Sequence, residues 1–260
     1  NTGGLTWAEM SAGVSSDSQS NTAAGTGAGD AITTGSYNTS FGKDAGTAIT
    51  TGNENTLIGF FAGKAIDSGS ANTVVGEEAM TACTSGSYNS AFGQGSLQGL
   101  TSGTNNQAFG AWSGWKMTTG TWNATLGYQA MRGNSANVTG SYNTSIGNKS
   151  MYNATTGDNN TVVGYEAGYQ LTTGENNVIM GYRAGLNISS GNGLNTIIGK
   201  DAWKNCTGGG YQNVALGYNT LGGTPSISGN VAIGSSAGAG VTDNHNTFIG
   251  HQAGDSLVHG

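Results

Sequence analysis

An asparagine followed four residues later by a glycine recurs through almost the whole chain, and this recurrence constrains the fold more than any other feature. Fourteen such asparagines, called anchors here, differ from one to the next in residue number by 16 to 20, and most often by 17. They are Asn21, Asn38, Asn55, Asn72, Asn89, Asn106, Asn123, Asn143, Asn160, Asn177, Asn195, Asn213, Asn230 and Asn246. Because glycine makes up only 48 of 260 residues, chance does not produce so many matches. The chain is therefore a repeat protein.

Other positions of the repeat keep the same phase. The residue before each anchor glycine, called the pre-glycine position, is always apolar, as in Phe41 and Ile58. A unit of about 17 residues is too short for a helical hairpin and lacks the 3.6-residue apolar spacing, whereas short β-branched segments bounded by glycine are typical of strands. We therefore predict an all-β fold: a parallel β-solenoid (β-roll) of about 14 coils with a 17-residue repeat, over residues 21–260. Residues 1–20 do not match the unit and are predicted to form an N-terminal cap or junction.

The alternation of side chains along a strand assigns residues to faces. In the segment Asn55–Gly59, Leu57 points away from Thr56 and Ile58. Because the pre-glycine position is always apolar, we predict that it faces the core and that the middle position, two residues after the anchor, faces outward. Apolar residues in that middle position would then form a subunit interface; they are Leu57, Val74, Val162, Ile179, Ile197 and Phe248.

The anchors and their glycines have predicted structural roles. A glycine in every repeat suits a tight turn with positive φ, where a Cβ is penalised. The predicted turn glycines are Gly25, Gly42, Gly59, Gly76, Gly93, Gly110, Gly127, Gly147, Gly164, Gly181, Gly199, Gly217, Gly234 and Gly250. The anchor asparagine tolerates left-handed backbone geometry and bonds readily to nearby backbone, so we predict that the anchors stack as an amide ladder.

Composition limits the function. Each coil offers only about two sizeable apolar groups, which is a thin core for a lone chain and predicts a parallel homo-oligomer. Only 8 basic residues stand against 14 acidic ones, which excludes a surface that tracks nucleic acid. No apolar run approaches the length of a spanning helix, so the chain is not expected to span a membrane. Because no nucleophile, base and acid recur at suitable spacing, we predict no enzymatic activity. We also predict no cofactor and no metal site, and interpret His245, His251 and His259 as ordinary exposed histidines.

Units such as Asn72–Gly76 (NTVVG), Asn195–Gly199 (NTIIG) and Asn230–Gly234 (NVAIG) resemble the head repeats of YadA-like trimeric autotransporter adhesins. The longer unit over 156–167 is similar to repeats of phage tail fibres and other bacterial surface fibres. The resemblance implies a left-handed β-roll, a homotrimer around one axis and attachment to a surface. It therefore predicts an extracellular fibre or adhesin segment, on a virion tail or a bacterial cell surface. The expected partner is a cell-surface glycan or an outer-membrane component.

Aromatic residues and one insertion provide the candidate receptor contacts. Three tryptophans precede a coil lengthened by three residues near Asn134, and loops that leave a regular scaffold often carry binding residues. Tyrosines recur five residues after several anchors, where they suit either a carbohydrate platform or a structural ladder. The candidates are Trp112, Trp115, Trp122, Tyr128, Asn134, Tyr165 and Tyr182.

Two further patterns give predictions. Cys83 and Cys206 occupy the same position of the repeat, seven coils apart, so we predict buried thiols and no disulfide between them. In many repeats a threonine occupies the position directly after that of the cysteines, as Thr33, Thr50 and Thr84 do. An ice-binding β-solenoid is thus the alternative function, although its flat array requires two threonine rows and the sequence supplies one broken row.

Overall fold

The computed structural model describes residues 14–134, 136–191 and 193–255, and these contain strands, turns and no helix. In that part of the chain, no helix has the length and apolar character that crossing a membrane requires. The chain divides into two compact units, residues 1–119 and 120–260. The strands are β1 (Val14–Ser16), β2 (Thr22–Ala24), β3 (Thr39–Phe41), β4 (Thr56–Ile58), β5 (Thr73–Val75), β6 (Ser90–Phe92), β7 (Gln107–Phe109), β8 (Ala124–Leu126), β9 (Thr144–Ile146), β10 (Thr161–Val163), β11 (Val178–Met180), β12 (Thr196–Ile198), β13 (Val214–Leu216), β14 (Val231–Ile233) and β15 (Thr247–Ile249).

Each unit is a stack of parallel strands with one strand per repeat. In the first unit β2 to β7 pair in parallel, and in the second unit β8 to β15 do the same. Each strand residue pairs with the residue at the same position of the neighbouring repeat, so that Thr56 pairs with Thr73 and Ile58 with Val75. The predicted all-β parallel solenoid, with one strand in each 17-residue repeat, is confirmed.

The anchor asparagines form the predicted amide ladder in each unit. The side chain of Asn55 donates from Nδ2 to Oδ1 of Asn38 in the coil before it, at 3.0 Å, and its backbone N–H donates to the same oxygen at 3.0 Å. The Nδ2 group also donates to the carbonyl of Gly69, near the end of the same coil, at 2.9 Å. One buried carboxamide therefore closes its own coil and fixes the register of the coil before it.

The left-handed residue of this corner is the one before the anchor, although asparagine itself tolerates that geometry. Tyr37 and Glu54 have φ of 62° and 60°, whereas the anchors that follow them do not have positive φ. The anchor backbone N–H is thereby free to donate to the carboxamide of the previous anchor, as Asn55 does to Asn38.

The anchor glycines adopt the backbone conformation that the sequence analysis expects. Every one of them has positive φ, between 117° and 141°. A second constraint comes from stacking: a Cβ on Gly59 would lie 2.6 Å from the carbonyl oxygen of Gly76 in the next coil. A side chain at this position is therefore excluded both by backbone conformation and by contact with the neighbouring coil.

The predicted assignment of strand faces is wrong. The middle-position residues Leu57, Val74 and Ile197 are buried, whereas the pre-glycine residues Phe41, Ile58 and Ile198 are exposed. The interface predicted from the middle position is therefore the core, with Phe248 only partly covered. The prediction failed because it equated an always-apolar position with burial inside the chain's own core, and alternation then reversed both faces.

Side-chain volume is shared between two inward positions of each coil. In some coils a large middle residue lies beside a glycine eight residues after the anchor: Leu57 Cδ2 lies 2.7 Å from where a Cβ of Gly63 would be. In other coils this second position carries a fully buried large residue, as Leu97 does in the coil of Ala91 and Trp203 does in the coil of Ile197. Leu97 has φ of 49°, a conformation that costs about 1–2 kcal/mol, but burying its side chain contributes about 1.5–3 kcal/mol.

An antiparallel strand covers the open edge of the first unit. Strand β1 pairs antiparallel to β2, and the turn between them places Asp17 at the end of the asparagine ladder. Asp17 accepts bonds from the backbone N–H and the Nδ2 group of Asn21 at 2.9 and 2.8 Å. These bonds lower the pKa of the Asp17 carboxyl, with the Asn21 side chain as the main cause. A carboxylate thus satisfies the first ladder donor, and the edge is protected against pairing with other chains.

Substitution of a ladder residue tests the role of the anchors. Asn160 bonds to Asn143 Oδ1 and to the Gly174 carbonyl, and its Oδ1 accepts from Asn177. We expect Asn160→Ala to lower the free energy of unfolding by about 3–5 kcal/mol, because several buried polar groups lose their partners. Chemical denaturation measures this, with the exposed Asn205→Ala as control. Equal stability of the two variants would contradict a structural role for the ladder.

Candidate functional site

Each unit carries an exposed apolar stripe on the outer side of its strands, called the outer β-face. It consists of the pre-glycine residues, which apart from the buried Ala24 are exposed or half-buried because the middle residues occupy the core. In the first unit Phe41, Ile58 and Phe109 are 41–49 % exposed. In the second unit Leu126, Met180, Ile198 and Ile249 are 38–68 % exposed. A contiguous apolar row of this kind is typical of an interaction surface.

Aromatic stacking extends this surface in the first unit. The rings of Phe92 and Phe109, on neighbouring strands, stack with centroids 4.8 Å apart and an interplanar angle of 5°. Five residues after an anchor, Phe60 is 37 % exposed and lies beside Phe61, with Lys43 above its ring at 5.8 Å. Flat apolar groups therefore reach from the outer β-face to the following corner.

Tyr165 and Tyr182 form a ladder in the second unit. Their ring centroids are 5.5 Å apart at an interplanar angle of 11°, and the Lys200 ammonium lies 6.0 Å from the Tyr182 ring and 5.8 Å from that of Tyr218. The pKa of the Tyr165 hydroxyl is raised, mainly by a hydrogen bond with Glu166 and secondly by the charge of that carboxylate. Because the rings cover each other, they present edges and hydroxyls to solvent, whereas a carbohydrate platform requires an open ring face.

Tyr128 occupies the same repeat position as this ladder but is separated from it. Asn148 takes the position in the coil between Tyr128 and Tyr165, and its Oδ1 accepts from the backbone N–H of Tyr128 at 2.9 Å. Tyr128 is 42 % exposed. Of the predicted contact residues, the structure thus brings Tyr165 and Tyr182 into ring contact, and it places Tyr128 apart from that pair.

Trp112 and Trp115 are parts of the wall of the first unit. Trp112 lies so close to Gly95 that a Cβ there would be 2.6 Å from its Cδ1 atom. Trp115 donates from Nε1 to Oε1 of Gln98, and Lys116 lies 5.3 Å from its ring. Trp122, in the second unit, differs because its side chain is 56 % exposed.

The three-residue insertion supports a stacked cationic cluster that the sequence analysis missed. Asn134 is exposed and accepts from Nη1 of Arg132 at 2.8 Å, and the same nitrogen bonds to the Tyr152 hydroxyl at 3.0 Å. The guanidinium lies 5.5 Å from the Tyr152 ring, which stacks on Tyr169 with centroids 4.8 Å apart. The pKa of the Tyr169 hydroxyl is raised, mainly because the side chain is partly buried. All three stacked residues occupy the same position of the repeat, so the repeat alignment contained the signal.

The threonine row of the ice-binding alternative uses its hydroxyls within the protein. Thr33, Thr101 and Thr155 each donate from Oγ1 to a backbone carbonyl of the following coil, at 3.0–3.1 Å. Thr50 donates to the carboxylate of Asp67. These hydroxyls strengthen the stack, and a threonine array for ice requires them to face water.

The two cysteines are free and buried, as predicted. Both lie in the core, and burial raises the pKa of each thiol to about 11. Because the thiolate is the nucleophilic form, neither sulfur is activated for chemistry. Within the described ranges, no group of three or more His, Cys, Asp or Glu side chains is arranged to hold a metal ion.

No protein-family model, curated protein or solved structure matches this chain.

Thiol titration tests the burial of the cysteines. Because the thiol pKa is higher in the folded chain, the unfolded chain loses its thiol protons at lower pH. The contribution of the thiols to the free energy of unfolding is therefore complete below about pH 9 and is lost as the pH rises towards 11. The loss is about 2–3 kcal/mol per thiol at most. At about pH 8 we expect the native protein to resist alkylation while the denatured protein reacts with two equivalents, as measured by mass spectrometry. Rapid labelling of either native cysteine would contradict the core assignment.

Proposed function

We propose that this chain is a non-enzymatic segment of an extracellular fibre or adhesin that mediates attachment to a cell surface. The observation that carries the proposal is the exposed outer β-face of each unit, which a single chain leaves in water. The resemblance of the repeats to those of YadA-like adhesins and phage tail fibres supports the same class of function. It favours a virion tail or a bacterial surface as the location of the segment.

Association with further copies of the same chain would remove the outer β-face from water. Burying one Ile, Leu or Phe side chain contributes about 1.5–3 kcal/mol, so a row of partly exposed ones favours association. Every coil repeats the same apolar position, which gives a partner a continuous surface in the same register. We propose a homotrimer, with the number three taken from the resemblance.

The exposed aromatic and amide groups of the second unit are the proposed contact region for a cell-surface glycan or outer-membrane component. Trp122, Tyr128 and Asn134 are all exposed, and aromatic rings are enriched among residues that dominate binding energy. Trp112 and Trp115, which are half-buried, remain separate candidates in the first unit. Catalysis by a cysteine nucleophile is disfavoured because burial raises the pKa of both thiols.

A charge placed on the outer β-face tests the assembly. We expect the wild-type chain to sediment as a trimer, and Ile198→Asp to shift it towards monomers because a carboxylate would be buried without a partner. Thr207→Asp, an exposed residue of the same repeat, adds the same charge away from the strands and should leave the trimer intact. Analytical ultracentrifugation makes the comparison, and a monomeric wild-type chain would refute the proposal.

Cell binding by the labelled chain tests the attachment function. We expect Trp122→Ala to weaken binding by roughly tenfold or more, since exposed aromatic anchors dominate such interfaces. Tyr88→Ala is the matched control, because Tyr88 is an exposed aromatic residue before an anchor in the first unit. Unchanged binding by Trp122→Ala would exclude this contact, and absence of binding to any bacterial cell surface would refute the function.

A further inference from the structure

A groove of about 330 Å³ lies on the second unit, outside the contact region described above. Glu175 and Asn176 line it from one coil, Gly193 and Leu194 from the next, and Tyr211 from the one after. Its volume is at the lower end of the range of about 300–1,000 Å³ for small-ligand sites. None of these residues belongs to the candidate contacts that the sequence suggested.

The groove forms where the repeat length changes. Asn160 and Asn177 differ in residue number by 17, whereas the next two steps, to Asn195 and to Asn213, are each 18. The added residue lengthens the turn before the next anchor, and there Glu175, Gly193 and Tyr211 align through isolated parallel bridges. The central position of this row is Gly193, which has no side chain, so the Tyr211 ring can approach the backbone there.

The lining is held in place by backbone hydrogen bonds. Leu194 N–H donates to the Glu175 carbonyl at 3.1 Å, and Gln212 N–H donates to the Gly193 carbonyl at 3.2 Å. The Tyr211 backbone N–H donates to Oγ of Ser228 at 3.2 Å. A Cβ at Gly193 would be 3.3 Å from the Tyr211 ring, so the ring lies close against this glycine. The groove is therefore formed before any ligand arrives, which reduces the entropy lost on binding.

The groove combines exposed apolar surface with polar groups that have no partner. The Tyr211 and Leu194 side chains are 49 % and 55 % exposed. Among the residues that the structure describes, the Glu175 carboxylate, the Asn176 carboxamide and the Tyr211 hydroxyl have no hydrogen bond or ion pair. Such a set matches the alternating apolar faces and hydroxyl groups of a sugar ring.

We propose that this groove binds a neutral carbohydrate of the cell surface, with Tyr211 and Leu194 against the sugar ring and Glu175 and Asn176 bonded to its hydroxyls. The unpaired carboxylate of Glu175 disfavours acidic sugars, because two like charges would meet without a cation between them. This inference rests on the proposed attachment function and assigns a ligand class and a second contact region to it.

Binding of soluble sugars to the full chain tests the groove. The probes are three neutral disaccharides (chitobiose, lactose and mannobiose) and one acidic sugar, sialyllactose, measured by saturation-transfer NMR and titration. We expect at least one neutral probe to bind and sialyllactose to bind more weakly. Tyr211→Ala should lower the affinity for the neutral probe at least tenfold. Glu175→Gln should lower that affinity several-fold and also reduce the discrimination against sialyllactose. Tyr218 is a similarly exposed tyrosine of the same unit, so Tyr218→Ala is the control. It should change neither the binding of the neutral probe nor the discrimination against sialyllactose.

Three outcomes would overturn the inference: no neutral probe binds, Tyr211→Ala binds as the wild type does, or sialyllactose binds as tightly as the neutral probe. Cell binding separates this failure from that of the proposed function. If the wild-type chain attaches to cells but binds no neutral probe, the groove assignment fails and the attachment function stands. If it binds the neutral probe through Tyr211 but attaches to no cell, the groove assignment stands and the attachment function fails.

Discussion

The buried asparagine ladder is the interaction on which the rest of each unit depends. Each carboxamide closes its own coil through a carbonyl near the coil's end and fixes the neighbouring coil through one shared oxygen, as Asn72 does with Gly86 and Asn55. A polar group this deeply buried is stable only with all its partners present. The ladder therefore keeps successive coils in register, and it continues across steps of 16, 18 and 20 residues as well as 17.

The sequence predicted the repeating features well and the assignment of faces poorly. Asparagine, glycine and their spacing report on the backbone, so the coils, the ladder and the positive φ of residues such as Gly59 were predictable. Alternation shows that Leu57 and Ile58 face opposite ways, but it does not show which of them faces the core. The middle position accepts variable residues in the core, and in some coils a second inward position leaves room for a large one, as Gly63 does beside Leu57.

The candidate site was only partly predictable for a related reason. Tyr165 and Tyr182 share a repeat position, so their stacking was expected, but their ring orientation depends on the contacts of neighbouring coils. The groove beside Tyr211 arises from one added residue in two successive repeats. The anchor spacing shows that irregularity, whereas the space it opens depends on where the longer turns lie. Regular positions thus predict the scaffold, and departures from regularity mark the surfaces available for binding.

The proposed function places this scaffold between further copies of the chain and a cell surface, with the stack itself as the rigid support. The most direct test of that support is hydrogen exchange of the side-chain amides of the anchors, followed by NMR. The account predicts that the Nδ2 protons of anchors such as Asn160 and Asn195 exchange far more slowly than those of the exposed Asn205. Exchange of the anchor amides at the rate of Asn205 would contradict the ladder and the stacked coils built on it.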